Sequence, residues 1–480
     1  MNSLKSESIP TDLLLCFQRQ RGAYFADPIP SYANRKEDLE KLARMLTENK
    51  DAIVAAIHAD YGNRSTFETL FTEFFTALQE IKNSLKHLKQ WMKPQRRKID
   101  LRLYPTSHLR VIPQPLGVVG VIVPWNFPLN LSFIPLATIF AAGNRAMVKM
   151  SENSSHFARL LTEISPRYFA SDKLQFYVDN GDSTLGPAFS SLPFDHLFFT
   201  GSGQTGRAVM TNAAKNLTPV TLELGGKSPT IVAPDFPITT AVEHIMWAKA
   251  LNAGQICTTV DYVFLPFGSE EAFIAQAKRI IAKRYPNMHH NDYTSIIDER
   301  SYQRLTDTLE DAIAKGARVV NLFNEAKPSQ ALRKFPLTLV FNVTDEMEIM
   351  RREIFGPLLP IKTYLDAQQV VDYVNAHDRP LALYIFSNDR PLQEFYIARI
   401  MSGGVSVNTG LLHVAQHNLP FGGVGASGMG HYHGYEGFTT FSKMRPVFYQ
   451  GRFSAIKLLM MPPYDRWGNR VINWLIRMVG

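Results

Sequence analysis

The sequence predicts an α/β protein with two domains, each built around a mostly parallel sheet. The chain has 480 residues, and because a single hydrophobic core stops growing at about 250 to 300 residues, a chain of this length divides into domains. From residue 118 onward, short apolar runs alternate with segments of helical spacing. This alternation indicates parallel strands whose connecting helices cover both faces of a sheet.

The first part of the chain, residues 11–93, has the pattern of a helical lead-in. Apolar residues recur at helical intervals among charges in 35–60 and in 67–91. Pro94 ends the second run, because proline cannot continue a helix. We therefore predict two long helices before the first sheet.

Two series of strands and helices follow this lead-in. The first series predicts strands at 118–123, 146–149, 176–178, 196–200 and 220–224, and helices at 130–142, 155–165, near 185 and at 204–214. The second predicts strands at 228–232, 262–265, 318–322, 337–341 and 383–386, and helices at 238–251, 270–285, 302–316 and 367–376. We interpret the two series as two α/β domains.

The composition is that of an ordinary globular protein, with 45% hydrophobic and 20% charged residues. The net charge of +8 is spread along the chain and suits an anionic ligand such as a dinucleotide. We interpret the basic run at 93–98 as a solvated face and predict no nucleic-acid partner. The only two cysteines, Cys16 and Cys257, rule out a disulfide framework, so we predict a cytoplasmic protein. We predict no metal site.

The last residues, 466–480, place tryptophans and aliphatic residues among arginines, as an amphipathic basic helix does. Such a helix lies on a membrane surface or packs on a partner subunit. We favour the subunit contact.

A glycine-rich segment, 198–206, follows a predicted strand, opens a helix and contains G-x-G-x-x-G. Glycines let the backbone approach a pyrophosphate, and a helix N-terminus attracts its charge. The same spacing also serves a plain tight turn. The acid about 20 residues further on is Glu223, which that fingerprint would assign to a ribose. We instead interpret Glu223 as catalytic, because Gly225 and Gly226 leave space beside its carboxylate.

Cys257 lies in a predicted loop and follows the small residues Ala253 and Gly254 in the sequence. A lone cysteine is usually buried filler, but small neighbours open access to the thiol, so Cys257 is a candidate nucleophile. A cysteine hydrolase using Cys257 and His244 is an alternative, although it leaves the glycine-rich segment unexplained.

Six short runs resemble the aldehyde dehydrogenase superfamily in order and spacing. They are PWNFP at 124–128, FTGS at 199–202, ELGGK at 223–227, GQIC at 254–257, EIFGP at 353–357 and LPFGG at 419–423. The resemblance covers roughly residues 15–450. The runs at 427–430 and 432–434 resemble its class 3 branch, and those at 193–196 and 216–220 resemble the coniferyl aldehyde dehydrogenase group.

The resemblance implies NAD(P)+-dependent oxidation of an aldehyde to a carboxylic acid. The Cys257 thiolate attacks the aldehyde, and the Asn126 side-chain amide with the Cys257 N–H holds the oxyanion of the thiohemiacetal. Hydride transfer to the nicotinamide leaves a thioester, which water hydrolyses with Glu223 as general base.

The resemblance also implies cofactor-binding residues. Lys149 and Glu152 lie at the adenine ribose, Gly201 and Ser202 near the pyrophosphate, and Glu353 with Phe355 at the nicotinamide ribose. A carboxylate at the 2′-hydroxyl favours NAD, because it repels the 2′-phosphate of NADP, although this branch often uses both cofactors.

The architecture that the resemblance implies is aldehyde dehydrogenase-like. It consists of a Rossmann-type NAD(P)-binding domain (1–95 and 113–225), a second α/β catalytic domain (226–417) with Cys257, a small oligomerisation arm (96–112 with 431–450) and a C-terminal tail (451–480). The arm implies a homodimer.

Alternatives in the same family and the choice of substrate stay open at this point. A CoA-acylating relative replaces water with a thiol, and Glu223 speaks against it. A non-catalytic relative would be expected to lose Cys257 or Glu223. Aromatic aldehydes such as coniferyl aldehyde and medium-chain aliphatic aldehydes both fit. The predicted entrance residues are Phe127, Trp247 and 411–413, and ordinary core packing is the alternative role for the two aromatic residues.

Overall fold

The computed structural model describes residues 10–101, 103–181, 184–324, 327–453, 461–462, 464 and 466–479. Two large sheets, of six and seven strands, and one small three-stranded sheet organise this part of the chain. Within it, no helix combines the length and the apolar character that crossing a bilayer requires.

The lead-in is helical, but its first predicted helix is divided in two. The helices are Thr11–Ala26, Tyr32–Glu48, Lys50–Tyr61 and a continuous stretch made of Thr66–Glu68, the π-helical Thr69–Phe75 and Thr76–Trp91. The break comes at Asn49, whose side-chain amide donates to the carbonyl of Met45 at 2.9 Å. A side chain that bonds locally to the backbone in this way competes with helix continuation.

The first large sheet contains the five strands predicted in the first series and one more at its edge. Its strands are β3 (Val118–Ile122), β4 (Arg145–Lys149), β5 (Leu174–Tyr177), β6 (His196–Thr200), β7 (Val220–Glu223) and β15 (Gly428–Met429), in the order β15-β7-β6-β3-β4-β5. The helices between them are Asn130–Ala142, Ser155–Ile164, Leu185–Ser190 and Gly203–Ala214. All of these strands run parallel except β15, which pairs antiparallel with β7.

The second large sheet has seven strands, of which the sequence analysis missed two. Its strands are β8 (Pro229–Val232), β9 (Tyr262–Pro266), β10 (Arg318–Asn321), β11 (Thr338–Phe341), β12 (Leu358–Tyr364), β13 (Ala382–Phe386) and β14 (Gly404–Val407), in the order β10-β11-β12-β9-β8-β13-β14. The main helices are Ile238–Ala250, Glu270–Arg284, Glu299–Ala314, Ala367–Asn375 and Arg390–Arg399. The missed strands are β12, where Pro360 and Lys362 interrupt the apolar run, and β14, where Gly404 and Ser406 alternate with only two valines.

The small sheet joins segments from both ends of the chain. It consists of β1 (Gln95–Arg97), β2 (His108–Pro115) and β16 (Ser442–Tyr449), all antiparallel, and a short helix, Gly434–Thr440, precedes β16. These strands fall in and beside the predicted arm, 96–112 with 431–450, whose contact with a second subunit stays a prediction. The basic run at 93–98 overlaps β1, and Arg96 and Arg97 are exposed.

The predicted tail contains the helix Arg466–Val479, which has no buried residue. Residues 454–460, 463, 465 and 480 of that tail lie outside the described residues.

Candidate active site

The loop that carries Cys257 is tightly constrained. It follows the helix Ile238–Ala250, and Asn252, Ala253 and Gly254 all have positive φ angles, of 50°, 50° and 73°. A Cβ on Gly254 would lie 2.4 Å from the carbonyl oxygen of Gly356, so only glycine fits there. The loop is therefore pressed against the predicted cofactor motif at 353–357.

Cys257 is half-buried at the wall of a cavity. Burial, together with the nearby charges of Glu353 and Glu223, raises the pKa of its thiol to about 12. The backbone N–H groups of Cys257 and Thr258 act in the opposite direction because they stabilise the thiolate. The thiol is thus protonated at neutral pH until a base removes its proton.

Glu223 is the last residue of β7 and is buried, with 2% of its surface exposed. Neither carboxylate oxygen has a hydrogen-bond partner among the described residues. Burial raises the pKa of this carboxyl well above its ordinary value. A carboxylate with a raised pKa is a stronger base, which is the property that general-base catalysis at neutral pH requires.

Asn126 is held by its backbone carbonyl. That oxygen accepts hydrogen bonds from the Tyr61 hydroxyl at 2.9 Å, from Nη1 of Arg64 at 2.8 Å and from Nδ2 of Asn252 at 3.3 Å. Its side-chain amide donates to the carbonyl of Gln255 at 3.4 Å, on the loop that carries the thiol. The predicted oxyanion donor is therefore fixed beside Cys257 by a cluster of buried groups, here called the Asn126 clamp (Tyr61, Arg64 and Asn252).

Arg64 is the charged member of the clamp, and it was not among the predicted site residues. Its guanidinium pairs with Glu73 at 3.0 Å, and both side chains are fully buried. The guanidinium also lies 4.8 Å from the ring centroids of both Tyr61 and Phe127. The helical lead-in thus contributes directly to the site, although its sequence shows only amphipathic helices.

The structure adds a third residue, Asp179, to the predicted adenine-ribose pair Lys149 and Glu152. Lys149 ends β4, and its ammonium lies 3.9 Å from Glu152 but only 2.5 Å from Asp179. Asp179 was not predicted, although it follows β5, the strand beside β4. Carboxyl ends of neighbouring parallel strands meet at one edge, and this rule could have identified it.

Gly201 and Ser202 form the turn between β6 and its helix. The N–H of Gly201 donates to the carbonyl of Glu223 at 3.0 Å. Ser202 caps the helix Gly203–Ala214, because its hydroxyl accepts from the N–H of Thr205 at 3.2 Å. The helix N-terminus offers an electropositive end to an anion at this edge of the sheet.

Glu353 and Phe355 lie against the Glu223 motif. The Glu353 carboxylate occupies the space beside Gly225, where a Cβ would be 2.0 Å from its oxygen. Burial, followed by the charge of Asp261, raises the pKa of Glu353 to about 8. Its Oε1 atom is buried with no hydrogen-bond partner among the described residues. The Phe355 ring packs edge-on against Trp125, with ring centroids 5.3 Å apart.

The cavity beside Cys257, here called the reaction cavity, encloses about 140 Å³. Its walls are mostly apolar, and the predicted entrance residues Phe127, Trp247, Leu411 and Leu412 contribute to them. His413 was also predicted there but is absent from the lining. Its Nδ1 instead hydrogen-bonds with the Ser406 hydroxyl at 2.8 Å.

Other wall residues of the reaction cavity were missed by the sequence analysis. They include Phe71 on the π-helical segment, and His417 and His433 from the glycine-rich region. His417 is oriented by Glu80, whose carboxylate lies 2.7 Å from its Nδ1. Burial, reinforced by His417, lowers the pKa of His433 to about 3, so its ring is neutral.

Comparison with known proteins identifies the family. Residues 30–447 match the aldehyde dehydrogenase family. The chain is 48% identical to a probable coniferyl aldehyde dehydrogenase of Pseudomonas aeruginosa (94% of this chain, 93% of that one). It is 47% identical to the coniferyl aldehyde dehydrogenase of Pseudomonas sp. strain HR199 (90% and 89%).

A solved structure, AldH of Staphylococcus aureus in a substrate-bound state, superimposes with a TM-score of 0.90 at 32% identity and covers 96% of this chain and 99% of that one. The predicted fold class and enzyme class are thereby confirmed. The chain belongs to the aldehyde dehydrogenase family and is an NAD(P)+-dependent enzyme that oxidises aldehydes.

Proposed function

We propose that this enzyme oxidises an aromatic aldehyde, such as coniferyl aldehyde, to its carboxylic acid, with Cys257 as nucleophile and Glu223 as base. The observation that carries the proposal is a half-buried thiol at the wall of an apolar, aromatic-lined cavity. The buried carboxylate of Glu223, which has no partner among the described residues, is near enough for its charge to raise the pKa of that thiol. Relatives at 44 to 48% identity bear the coniferyl aldehyde dehydrogenase name. Medium-chain aliphatic aldehydes are the second candidate class.

The first chemical step forms a carbon–sulfur bond. Glu223 takes the proton of the Cys257 thiol, and the resulting thiolate attacks the aldehyde carbon. The carbonyl oxygen becomes an oxyanion that accepts hydrogen bonds from the Asn126 amide and the Cys257 N–H. The Asn126 clamp keeps that amide in place, so its dipole needs no reorganisation when the charge develops.

The second half of the reaction cleaves the acyl–sulfur bond. When bound, NAD(P)+ supplies the hydride acceptor that converts the thiohemiacetal to a thioester. After releasing the first proton to solvent, Glu223 removes a proton from water as the water attacks the thioester. Cys257 leaves as the thiolate and takes that proton back from Glu223, which restores the thiol. A raised pKa suits Glu223 to both proton transfers.

The residues at the sheet edge fit a dinucleotide cofactor, and we propose that NAD+ is preferred over NADP+. The unpartnered Oε1 of Glu353 can accept a hydrogen bond from a ribose hydroxyl. At the other end, Asp179 already compensates the charge of Lys149. The half-exposed carboxylate of Glu152 would repel a 2′-phosphate.

We also propose a homodimer, formed through the small sheet of β1, β2 and β16. This proposal rests on the resemblance of the arm, residues 96–112 with 431–450, to the oligomerisation arm of the family. The free thiols of Cys16 and Cys257 are compatible with a reducing, cytoplasmic location.

The test is the appearance of NADH absorbance with purified enzyme and a panel of acetaldehyde, hexanal and coniferyl aldehyde, repeated with NADP+ and with added CoA. We expect turnover without CoA and the highest kcat/KM with coniferyl aldehyde and NAD+. A strict requirement for CoA would contradict the hydrolytic mechanism. A preference for hexanal would move the proposal to the aliphatic class.

A further inference from the structure

Three large apolar side chains stand exposed in a row near the reaction cavity. Phe67, Phe71 and Phe75 are 71%, 49% and 46% exposed. Neighbouring rings lie nearly parallel, with centroids 5.9 Å apart and interplanar angles of 8° and 9°. Exposed apolar patches of this kind mark binding surfaces more often than scattered single residues do. We call this row the Phe ladder.

The backbone beneath the Phe ladder is π-helical over Thr69–Phe75. A π turn inside a helix is rare and occurs frequently at functional sites. Here it turns Glu73 inward, to its buried ion pair with Arg64. On the same segment Phe71 and Phe75 stay exposed. One helix therefore supports the Asn126 clamp with one face and presents aromatic rings with another.

The middle ring of the ladder, Phe71, forms part of the walls of two cavities. Phe71 lines the reaction cavity with Cys257, and it also lines an outer cavity of about 290 Å³. Phe67 lines only the outer cavity, and Phe75 lines neither. The two cavities share four wall residues, Phe71, Thr72, Trp247 and Leu251, so they adjoin at these residues, here called the shared rim.

The volume of the reaction cavity limits how much of a substrate can lie inside it. The reaction cavity, at about 140 Å³, is about as large as an apolar cavity that holds one benzene ring, ~150 Å³. An aldehyde whose ring is separated from the carbonyl by a two-carbon double bond is larger than this. With its carbonyl at Cys257, such a molecule does not fit wholly inside the reaction cavity, and the outer cavity adjoins it at the shared rim, where Phe71 and Trp247 provide aromatic surfaces.

We propose that Phe71 and Trp247, with Phe67 further out, form an aromatic subsite that holds the ring of an aryl propenal whose carbonyl reaches Cys257. The inference rests on the proposed oxidation of aromatic aldehydes and names the residues that select for an extended, conjugated substrate. Aromatic rings gain from offset or edge-on contact beyond the area that they bury. The subsite would therefore favour a planar ring over an alkyl chain.

The test compares KM for coniferyl aldehyde, an aryl propenal, with KM for propanal, which fits within the reaction cavity. For Phe71→Ala we expect the ratio of the two KM values to rise about tenfold, because the ring contact and its buried area are both lost. Phe71→Leu keeps apolar area without the ring and should raise the ratio about threefold. Phe67→Ala should have a smaller effect of the same sign.

Phe75→Ala is the matched control, since Phe75 belongs to the same ladder and lines neither cavity. Equal effects of Phe71→Ala and Phe75→Ala would overturn the subsite, as would an unchanged KM ratio in Phe71→Ala. A changed molecular mass of the Phe67→Ala/Phe71→Ala double variant in light scattering would also overturn it, by assigning the ladder to a subunit contact. Wild-type enzyme that oxidises propanal but not coniferyl aldehyde would refute the proposed function instead.

Discussion

Two regions of the candidate active site differ in whether their buried polar groups have partners. In the Asn126 clamp, Arg64 pairs with Glu73 and three donors converge on one carbonyl oxygen. In the second region, Glu223 has no hydrogen-bond partner among the described residues, and burial holds Cys257 as a thiol. Hydrogen bonds and ion pairs fix the positions of buried polar groups, whereas a buried group without a partner is free to interact with a substrate. We therefore predict that the clamp residues position Asn126 and that Glu223 and Cys257 react.

The largest expected effect comes from removing the reactive thiol. Cys257→Ala should lower steady-state turnover by ~10⁴-fold or more, because loss of a nucleophile leaves only binding and oxyanion stabilisation. NAD+ should still bind with an unchanged Kd, measured by quenching of tryptophan fluorescence. Undiminished turnover would place the nucleophile elsewhere in the chain.

Glu223→Gln removes the unpaired base and keeps its shape. Steady-state turnover should fall by ~10² to 10³-fold, the range typical of general-base catalysis. Because Glu223 in the proposed mechanism also removes the proton of the Cys257 thiol, whose pKa is about 12, the first turnover should slow as well, and stopped-flow measurements should show no fast burst of NADH. If the variant turned over at the wild-type rate, another residue would have to activate the water.

Breaking the clamp tests the other side of the comparison. Arg64→Met leaves Glu73 buried without its ion-pair partner, which should lower the free energy of unfolding by about 3 to 5 kcal/mol. The kcat should fall by up to ~10²-fold if the Asn126 amide shifts by about 1 Å. Urea denaturation and steady-state kinetics measure the two effects. Glu73→Gln in the Arg64→Met background should recover part of the stability, because the unpaired charge is gone.

The last prediction changes no residue and concerns the pH dependence of the thiol itself. Burial, with Glu353 and Glu223, holds the pKa of Cys257 at about 12, so the thiolate fraction increases about tenfold per pH unit well below that value. Alkylation of the free enzyme by iodoacetamide, followed by loss of activity, should therefore accelerate steadily from pH 7 to pH 9.5. A rate that is half-maximal near pH 8.5, the ordinary pKa of a cysteine, and levels off by about pH 9.5 would show that the thiol is not perturbed.

The sequence was most informative where structure is local. Cys257 and Glu223 stand in short motifs whose order along the chain identified the family, and the strands β3 to β8 are apolar runs bounded by polar residues. The roles of these two residues, Asn126 and the cofactor-binding positions stay predictions that the experiments above address.

What the sequence could not predict depends on contacts between distant segments. Arg64 and Glu73 look like ordinary charges of amphipathic helices, and only the folded chain brings them behind Asn126. Asp179 reaches Lys149 because β4 and β5 are adjacent in the sheet. His413 turns away from the cavity because Ser406, on a neighbouring strand, offers it a hydrogen bond.

The pairing of β15 with β7 also has a consequence for the order of synthesis and folding. The strand that ends in Glu223 receives its outer neighbour, Gly428–Met429, only after roughly 200 further residues have left the ribosome, which takes ~10 to 40 s at typical rates. During that interval the first sheet presents an open edge, the kind that recruits strands from other chains. A nascent or truncated chain that ends before residue 428 would therefore contain both Cys257 and Glu223 but leave this edge open. Dependence on chaperones should be greatest in that window.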